Sequence, residues 1–431
     1  MNRDFKMDER LARYLHKRVL ELDFDGQVND VRSDRGKRWS LTQLLCGVIL
    51  GVVCGRKSLK ESEDVTAEFS VQLRRLFRIH RRMPDTTMRD FLVRLRPENL
   101  RIILHTSVQR ALRRKALEPS GLPCGVVAMD GKWTGTNVED TTYAQYHSEG
   151  PNEKTRQHVR TVTSCLMSSR AKPCLDAFPI PPSTNEKGIF KKAFDELVSK
   201  YGEHFEIVTY DPGATTKANA AHVHNKGYGY FFAIKSDQPT LHQEARRLLE
   251  TLSSDEAIAY VIDPPVSGKT TIRRLWRNRE IAGFHDWSHL RAVYRVEAKV
   301  VDEQGGGIIS VENRYFVTNV HPGRMKNEQW LDLIRRHWDV ENCHNILDRI
   351  LREDDRVWIR EPQGMLVVQM LRRVAYNLMA LFRSVTQRAE DKRAMPWRDL
   401  MNAFYLAFVR LGRSDGDRTR SASPRVFVTS C

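Results

Sequence analysis

The sequence predicts a mixed α/β core with a β-rich insertion, preceded by an all-helical N-terminal domain. Three observations carry this. Residues 1–120 hold apolar side chains at helical spacing on an Arg-rich background. After EPSGLPCG (118–125) the period changes to short strand-like apolar runs separated by helical stripes. Residues 258–320 are rich in strand formers, and helix returns at Asn327. Strands that alternate with helices bury their apolar faces as an α/β layer with a mixed sheet.

Taken in order, residues 8–22 place Leu11, Tyr14, Leu15, Val19 and Leu22 on one helical face, and the polar run 30–38 is a linker. Helical patterns follow over 40–54, 58–77, 84–95 and 98–115, the third opened by Pro84-Asp85-Thr86. Predicted strands are 125–130, 157–168, 173–179, 206–211 and 229–235. Between them, 187–201 carries Phe190, Phe194, Leu197, Val198 and Tyr201 as a helical stripe, and 214–226 is a second helix closed by Gly227. The runs TTIRRLWRNREIAG, LRAVYRVEAKVV and GIISVENRYFVTNV form the β-rich insertion, with EQGGG (303–307) as a turn. A long helix then runs through EQWLDLIRRHWDVENCHNILDRILRE, and a last helical pattern covers 362–387. From about residue 412 the sequence is of low complexity and is expected to be disordered. The organisation that follows is a basic helical domain (1–120), a first core segment (121–257), the insertion (258–322), a helical core segment (323–390) and a C-terminal segment with its tail (391–431).

The 431-residue chain is 29% charged with a formal net charge of +16, a balance that points to a polyanionic partner, above all nucleic acid. Residues 1–120 hold 26 Lys+Arg against 16 Asp+Glu, so most of the excess lies in the helical N-terminal part. Seven scattered cysteines without a C-x-x-C pair argue for a reducing compartment and against a zinc ribbon or disulfide framework. The N-terminus has no apolar signal core, and the longest apolar run, 44–54, is too short to span a bilayer. A cytoplasmic protein without a membrane span is the expectation.

Two apolar strands end in a carboxylate: VVAMD in Asp130 and IVTYD in Asp211. If the strands are neighbours, both acids reach one sheet edge, where ligands of open α/β sheets collect. Carboxylates brought together repel, and an oxygen-only set of this kind suits Mg²⁺ or Mn²⁺. A third acid can come from the long helix, where His337, Glu341, His344 and Asp348 share one face. Taken singly, each acid is as well explained as a cap or turn former.

The blocks DVRSDRGKRWSLTQLLCGVILGVVCGRKSLKE (30–61), MPDTTMRDFLVRLRPENL (83–100), VVAMDGK (126–132), NE (185–186), VTYDPGATT (208–216), YFFAIKSDQ (230–238), RHWDVENCHNILDRILREDD (336–355) and MLRRVAYNLMALFRSV (370–385) run in order along the chain. Together they resemble bacterial insertion-sequence transposases of the DDE type, in the subgroup with A-x-D-G-K and H-W-x-x-E-N blocks. The resemblance implies an RNase H-like catalytic core. It places the three metal-binding, catalytic acids on Asp130, Asp211 and Glu341, holding two Mg²⁺ or Mn²⁺ ions with Asp130 bridging both. It implies cleavage at the element ends and attack of the freed 3′-OH on target DNA, with terminal inverted repeats and target DNA as partners. A homodimer or higher multimer in the DNA complex, and no small-molecule cofactor beyond metal, follow from it as well. Lys132, His337, Asn342 and Glu186 are its DNA-binding or supporting candidates. Lys132 reads either as facing a phosphate or as a surface lysine after a turn. His337 reads as orienting Glu341, touching DNA or packing in a helix face, and Glu186 as capping the helix at 187. The Tyr, Arg and Lys of the Y-x2-R-x3-E-x6-K signature of related transposases are replaced here by Ile334, His337 and Asp348. Three alternatives share residues with this reading: an RNase H-like nuclease without strand transfer, an inactive DNA-binding relic, and a zinc hydrolase using His337, Glu341 and His344.

Overall fold

Short polar residues set the helix boundaries. Ser40 ends the N-terminal linker, its hydroxyl accepting from the Gln43 amide at 3.1 Å while the Gln43 side chain accepts from the Ser40 N–H at 2.8 Å. The helix behind it is buried along nearly its whole length, as its unbroken apolar sequence requires. The computed structural model describes residues 3–411 except 34, 36, 139, 141, 148–155 and 388–389. The expected tail from 412 lies outside the described residues.

The described residues form two units, one from those up to Arg110 and from Leu347 onward, the other Ala111–Ile346. Helices of the first are α1 (Arg3–Leu20), α2 (Phe24–Gln27), α3 (Leu41–Val53), α4 (Leu59–Glu68), α5 (Val71–Phe77), α6 (Asp85–Leu92) and α7 (Pro97–Arg113), the last of which runs on into the second unit. The helical pattern 58–77 is two helices, because Ser70 leaves the helix and caps the next one, accepting from the Leu73 amide at 3.2 Å. Thus α1–α7 share a core with helices from the other end of the chain rather than with the sheet that follows them in sequence.

In the second unit a ten-stranded sheet runs β2-β3-β1-β5-β6-β10-β9-β8-β7, with β4 beside β3. Its strands are β1 (Val126–Thr136), β2 (Ala144–His147), β3 (Arg156–Leu166), β4 (Cys174–Pro179), β5 (Ile207–Tyr210), β6 (Gly229–Ile234), β7 (Ala259–Ile262), β8 (Lys269–Asn278), β9 (Ala292–Asp302) and β10 (Ile308–Thr318). Strands β1, β3 and β4 are an antiparallel meander, and β5 and β6 then run parallel to β1. Helices α8 (Glu186–Tyr201), α9 (Lys217–Asn225) and α10 (Pro239–Leu249) follow β4, β5 and β6. The β-rich stretch is not a separate sheet: β10 pairs antiparallel with β6, so β7–β10 extend the core sheet.

Alternation along each strand sorts the core. On one face Phe190 of α8 packs on Tyr210 and Phe232 at 5.3 and 5.9 Å between ring centres. On the other, Phe231 lies 5.6 Å from Trp330 of α11 (Asn327–His337). The long helix of the sequence reading is two, α11 and α12 (Asp339–Arg349), because Trp338 leaves helical geometry at φ −76°, ψ 1°. The single face shared by His337, Glu341, His344 and Asp348 is therefore interrupted at its first member.

The chain closes with α13 (Pro362–Leu381), α14 (Glu390–Arg393) and α15 (Trp397–Arg410). Pro362–Thr386 is long and apolar enough to cross a membrane by composition, and its apolar window is wholly buried, with α13 packed on α3 and α6. Inside this first unit Arg373 pairs with Glu353 at 2.9 Å, both side chains fully buried.

Candidate active site

Parallel pairing of β1 with β5 runs from Val126↔Ile207 to Met129↔Tyr210. Asp130 and Asp211 are the next residue on each strand, so both carboxylates sit at the carboxyl end of adjacent parallel strands. Strand β1 does not stop there. It continues through Gly131 and Lys132 to Thr136, paired with β3. The sequence reading of a turn after Asp130 is thus corrected: β3 supplies the hydrogen-bond partners that a turn would otherwise replace.

Helix α12 brings in His344, whose Nδ1 lies 3.3 Å from Asp130 Oδ2. Asp211 is a cap as well as an edge acid, its Oδ1 accepting from the Gly213 amide at 2.9 Å. That bond fixes the side chain on the short turn Pro212–Ala214.

The α8 face supplies a fourth carboxylate. Glu186 is the first residue of α8, behind Asn185, which caps the helix by accepting from the Gly188 amide at 3.0 Å. Glu186 therefore has no capping duty. Its carboxylate lies against Gly131, where a Cβ would stand 1.9 Å from Glu186 Oε1, and it accepts from Trp133 Nε1 at 3.0 Å. Only a glycine after Asp130 leaves this space.

The electrostatics tie these acids together. Burial pushes the Asp130 carboxyl up to about 6, opposed by the Gly131 N–H and Lys132. Burial and the Asp130 charge push Asp211 up to about 6, opposed by the Gly213 and Ala214 amides and Lys235. Burial, and behind it the charges of Asp130 and Asp211, raise Glu186. Glu341 of α12 is raised by burial and by Asp130, with Arg314 opposing. Four carboxylates thus resist ionisation in one place, the signature of a site that favours a cation. Among the described residues no three His, Cys, Asp or Glu side chains stand together as a ready-made ligand set.

Comparison with known proteins gives the relationship. Residues 24–106 match the model of a family described as DDE_Tnp_1-associated. Over 223 residues the chain is 26% identical to the H repeat-associated putative transposase YhhI of Escherichia coli K12, covering 49% of this chain and 58% of that protein. The chain is related to the bacterial insertion-sequence transposases of the DDE type. The putative protein YbfL of the same organism is 25% identical over 223 residues, with the same shares. The aligned stretch thus covers little more than half the length of each relative. A piggyBac transposase in a synaptic complex with hairpin DNA superposes loosely, at 11% identity and a TM-score of 0.45 over 98% of this chain and 82% of that one.

The remaining candidates of this transposase relative separate clearly. His337 is buried, its Nδ1 2.9 Å from the Thr209 hydroxyl, and its reading as a DNA contact is corrected: it ties α11 to β5. Lys132 is buried within β1, not a surface lysine after a turn. Asn342 is exposed and donates to Asp339 Oδ1 at 3.3 Å. It lines a cavity of about 640 Å³ with Arg170, Lys172, Arg335 and Arg336. His344, Trp133 and Tyr210 were not singled out as site residues in the sequence. The only signal was His344 on the Glu341 face; the contacts of the other two arise from tertiary pairing.

Proposed function

We propose that the chain is a DDE transposase that cleaves DNA at the ends of an insertion sequence and joins the freed 3′-OH to target DNA. The observation that carries this reading is the meeting of Asp130 and Asp211 at the ends of two parallel strands, with Glu341 electrostatically joined to Asp130. An antiparallel meander followed by two parallel strands with crossover helices supports the RNase H-like core.

The donor set is all oxygen, which fits Mg²⁺ or Mn²⁺ held by Asp130, Asp211 and Glu341, with Asp130 between two ions. When bound, such ions polarise the scissile phosphate, activate the attacking oxygen and stabilise the leaving oxygen. The chain's own residues set this up. Gly213 fixes the Asp211 carboxylate, His344 contacts that of Asp130, and Gly131 keeps the strand edge open. A cavity of about 210 Å³ opens beside Glu341 between Trp338 and the strand residues Arg273 and Arg314, room for part of a DNA strand. The basic helical segment over residues 1–120 would hold the terminal inverted repeats, and a dimer or higher multimer would pair two ends in the cytoplasm.

The test is Mn²⁺-dependent cleavage and joining of the inverted-repeat DNA that flanks the gene, by wild type and by Asp211→Asn. Cleavage and joining by the wild type, with loss of both in the variant, are expected. Undiminished cleavage by Asp211→Asn overturns the site. Cleavage without joining selects the nuclease reading instead.

A further inference from the structure

We propose that Glu186 is a fourth carboxylate of the cation site, completing with Asp211 the half on the α8 side of the sheet, while Glu341 completes with Asp130 the half on the α12 side. This rests on the cation reading of the site given above and adds a ligand to it.

The argument begins with the two faces of β1. Residues 128 and 130 share the face of Thr209, which bonds His337 of α11, and residues 129 and 131 share the face of Tyr210, which packs on α8. Asp130 therefore meets α12 through His344, and Gly131 meets α8 through Glu186. Glu341 feels Asp130, whereas Glu186 feels both Asp130 and Asp211. The two glutamates approach the same strand end from opposite sides of the sheet.

A second observation points to a ligand on the α8 side. Tyr210 is fully buried and its hydroxyl makes no hydrogen bond. That hydroxyl is within electrostatic reach of Glu186, Asp130 and Asp211. A buried hydroxyl without a partner is unfavourable, and such orphans mark places where a water or an ion belongs. The hydration shell of a divalent ion on this side of the strand supplies the missing partner.

Charge gives the same answer. Two divalent ions carry four positive charges; Asp130, Asp211 and Glu341 supply three negative ones, and Glu186 makes the balance even. The alternative, a structural glutamate, leaves its placement unexplained. Its helix is already capped by Asn185, and Trp133 and Gly131 hold the carboxylate toward the acids rather than out to solvent.

The test is a titration of the metal-free full chain with Mn²⁺ alone, read by the electron paramagnetic resonance signal of free Mn²⁺. The wild type is expected to bind two ions. Glu186→Gln, which still accepts from Trp133, is expected to lose one or to bind it at least tenfold more weakly, with Glu186→Asp intermediate. Two ions bound by Glu186→Gln at wild-type affinity overturn the role of Glu186 alone. No Mn²⁺ bound by the wild type overturns the cation reading itself. Circular dichroism checks the fold, and if Glu186→Gln is unfolded, Trp133→Phe, which releases the carboxylate, decides by the same measure: weaker binding of one ion supports the proposal and unchanged binding of both overturns it.

Discussion

His337 Nδ1 lies 2.9 Å from the Thr209 hydroxyl, fastening α11 to β5 two residues before Asp211. Burial lowers the pKa of His337 from 6.5 to about 4, with Arg314 adding to the effect. A folded-state pKa below the unfolded one means that the neutral ring stabilises the fold fully above pH 6.5 and that this contribution is lost as the pH falls toward 4. The loss amounts to about 3 kcal/mol at 1.36 kcal/mol per unit. His337→Gln keeps a partner for Thr209 and cannot titrate. Urea unfolding at pH 7 and pH 4 is expected to show wild type losing about 3 kcal/mol more than the variant over this window. Equal losses would show that His337 does not carry the acid sensitivity.

Gly131→Ala tests the close approach of Glu186. The new Cβ would stand 1.9 Å from Glu186 Oε1 and 2.2 Å from its Cδ, so the carboxylate must swing away. Because a flexible side-chain end yields, the stability change is expected to stay within about 1 kcal/mol, while DNA cleavage falls by tenfold or more. Gly125 makes the contrast. A Cβ there would meet the His204 backbone oxygen at 1.9 Å, which cannot move alone, so Gly125→Ala is expected to destabilise by more than about 2 kcal/mol. Comparable thermal melts for the two variants would contradict this.

Asp130 and Asp211 were legible because an apolar strand ending in a carboxylate is a local pattern, and two such strands suggest one edge. The turn inferred after Asp130 was not there, since Gly131 reads as a breaker only when no neighbouring strand holds it, and β3 does. Glu186 was legible only as a helix start; its contact with Gly131 depends on how α8 crosses the sheet. The break at Trp338 was hidden because the apolar stripe of α11 continues in α12 almost in phase. The continuity of β6 with β10 was invisible for the same reason that sheet order is: nothing within either strand names its partner.

Raised carboxylates predict stabilisation by cations. Burial and mutual repulsion disfavour the ionised forms of Asp130 and Asp211, and a divalent ion binding only the folded chain relieves this. At about one hundred times the dissociation constant, Mn²⁺ is expected to add about 2.7 kcal/mol to stability, seen as a rise in the thermal midpoint. Asp130→Asn removes the acid that all the others feel, and it is expected to abolish most of this rise while leaving the metal-free chain no less stable. A full Mn²⁺ response in Asp130→Asn would dissociate the cation from this site.

The ion pair of Arg373 with Glu353 gives the clearest stability test outside the site. Both side chains are fully buried, and the Arg373 guanidinium donates to Glu353 at 2.9 Å and to the Gln369 carbonyl at 3.1 Å. A buried charge is tolerable only while its partner is present, because desolvation opposes it throughout. Glu353→Ala leaves the guanidinium uncompensated and is expected to cost about 3–5 kcal/mol in chemical unfolding. Replacing both residues by methionine removes the charge along with its need for a partner, so Glu353→Met/Arg373→Met is expected to cost less than Glu353→Ala alone. A double variant that costs as much as the two single changes added would mean that the residues act independently and that their pairing is not what holds α13 against the segment before it.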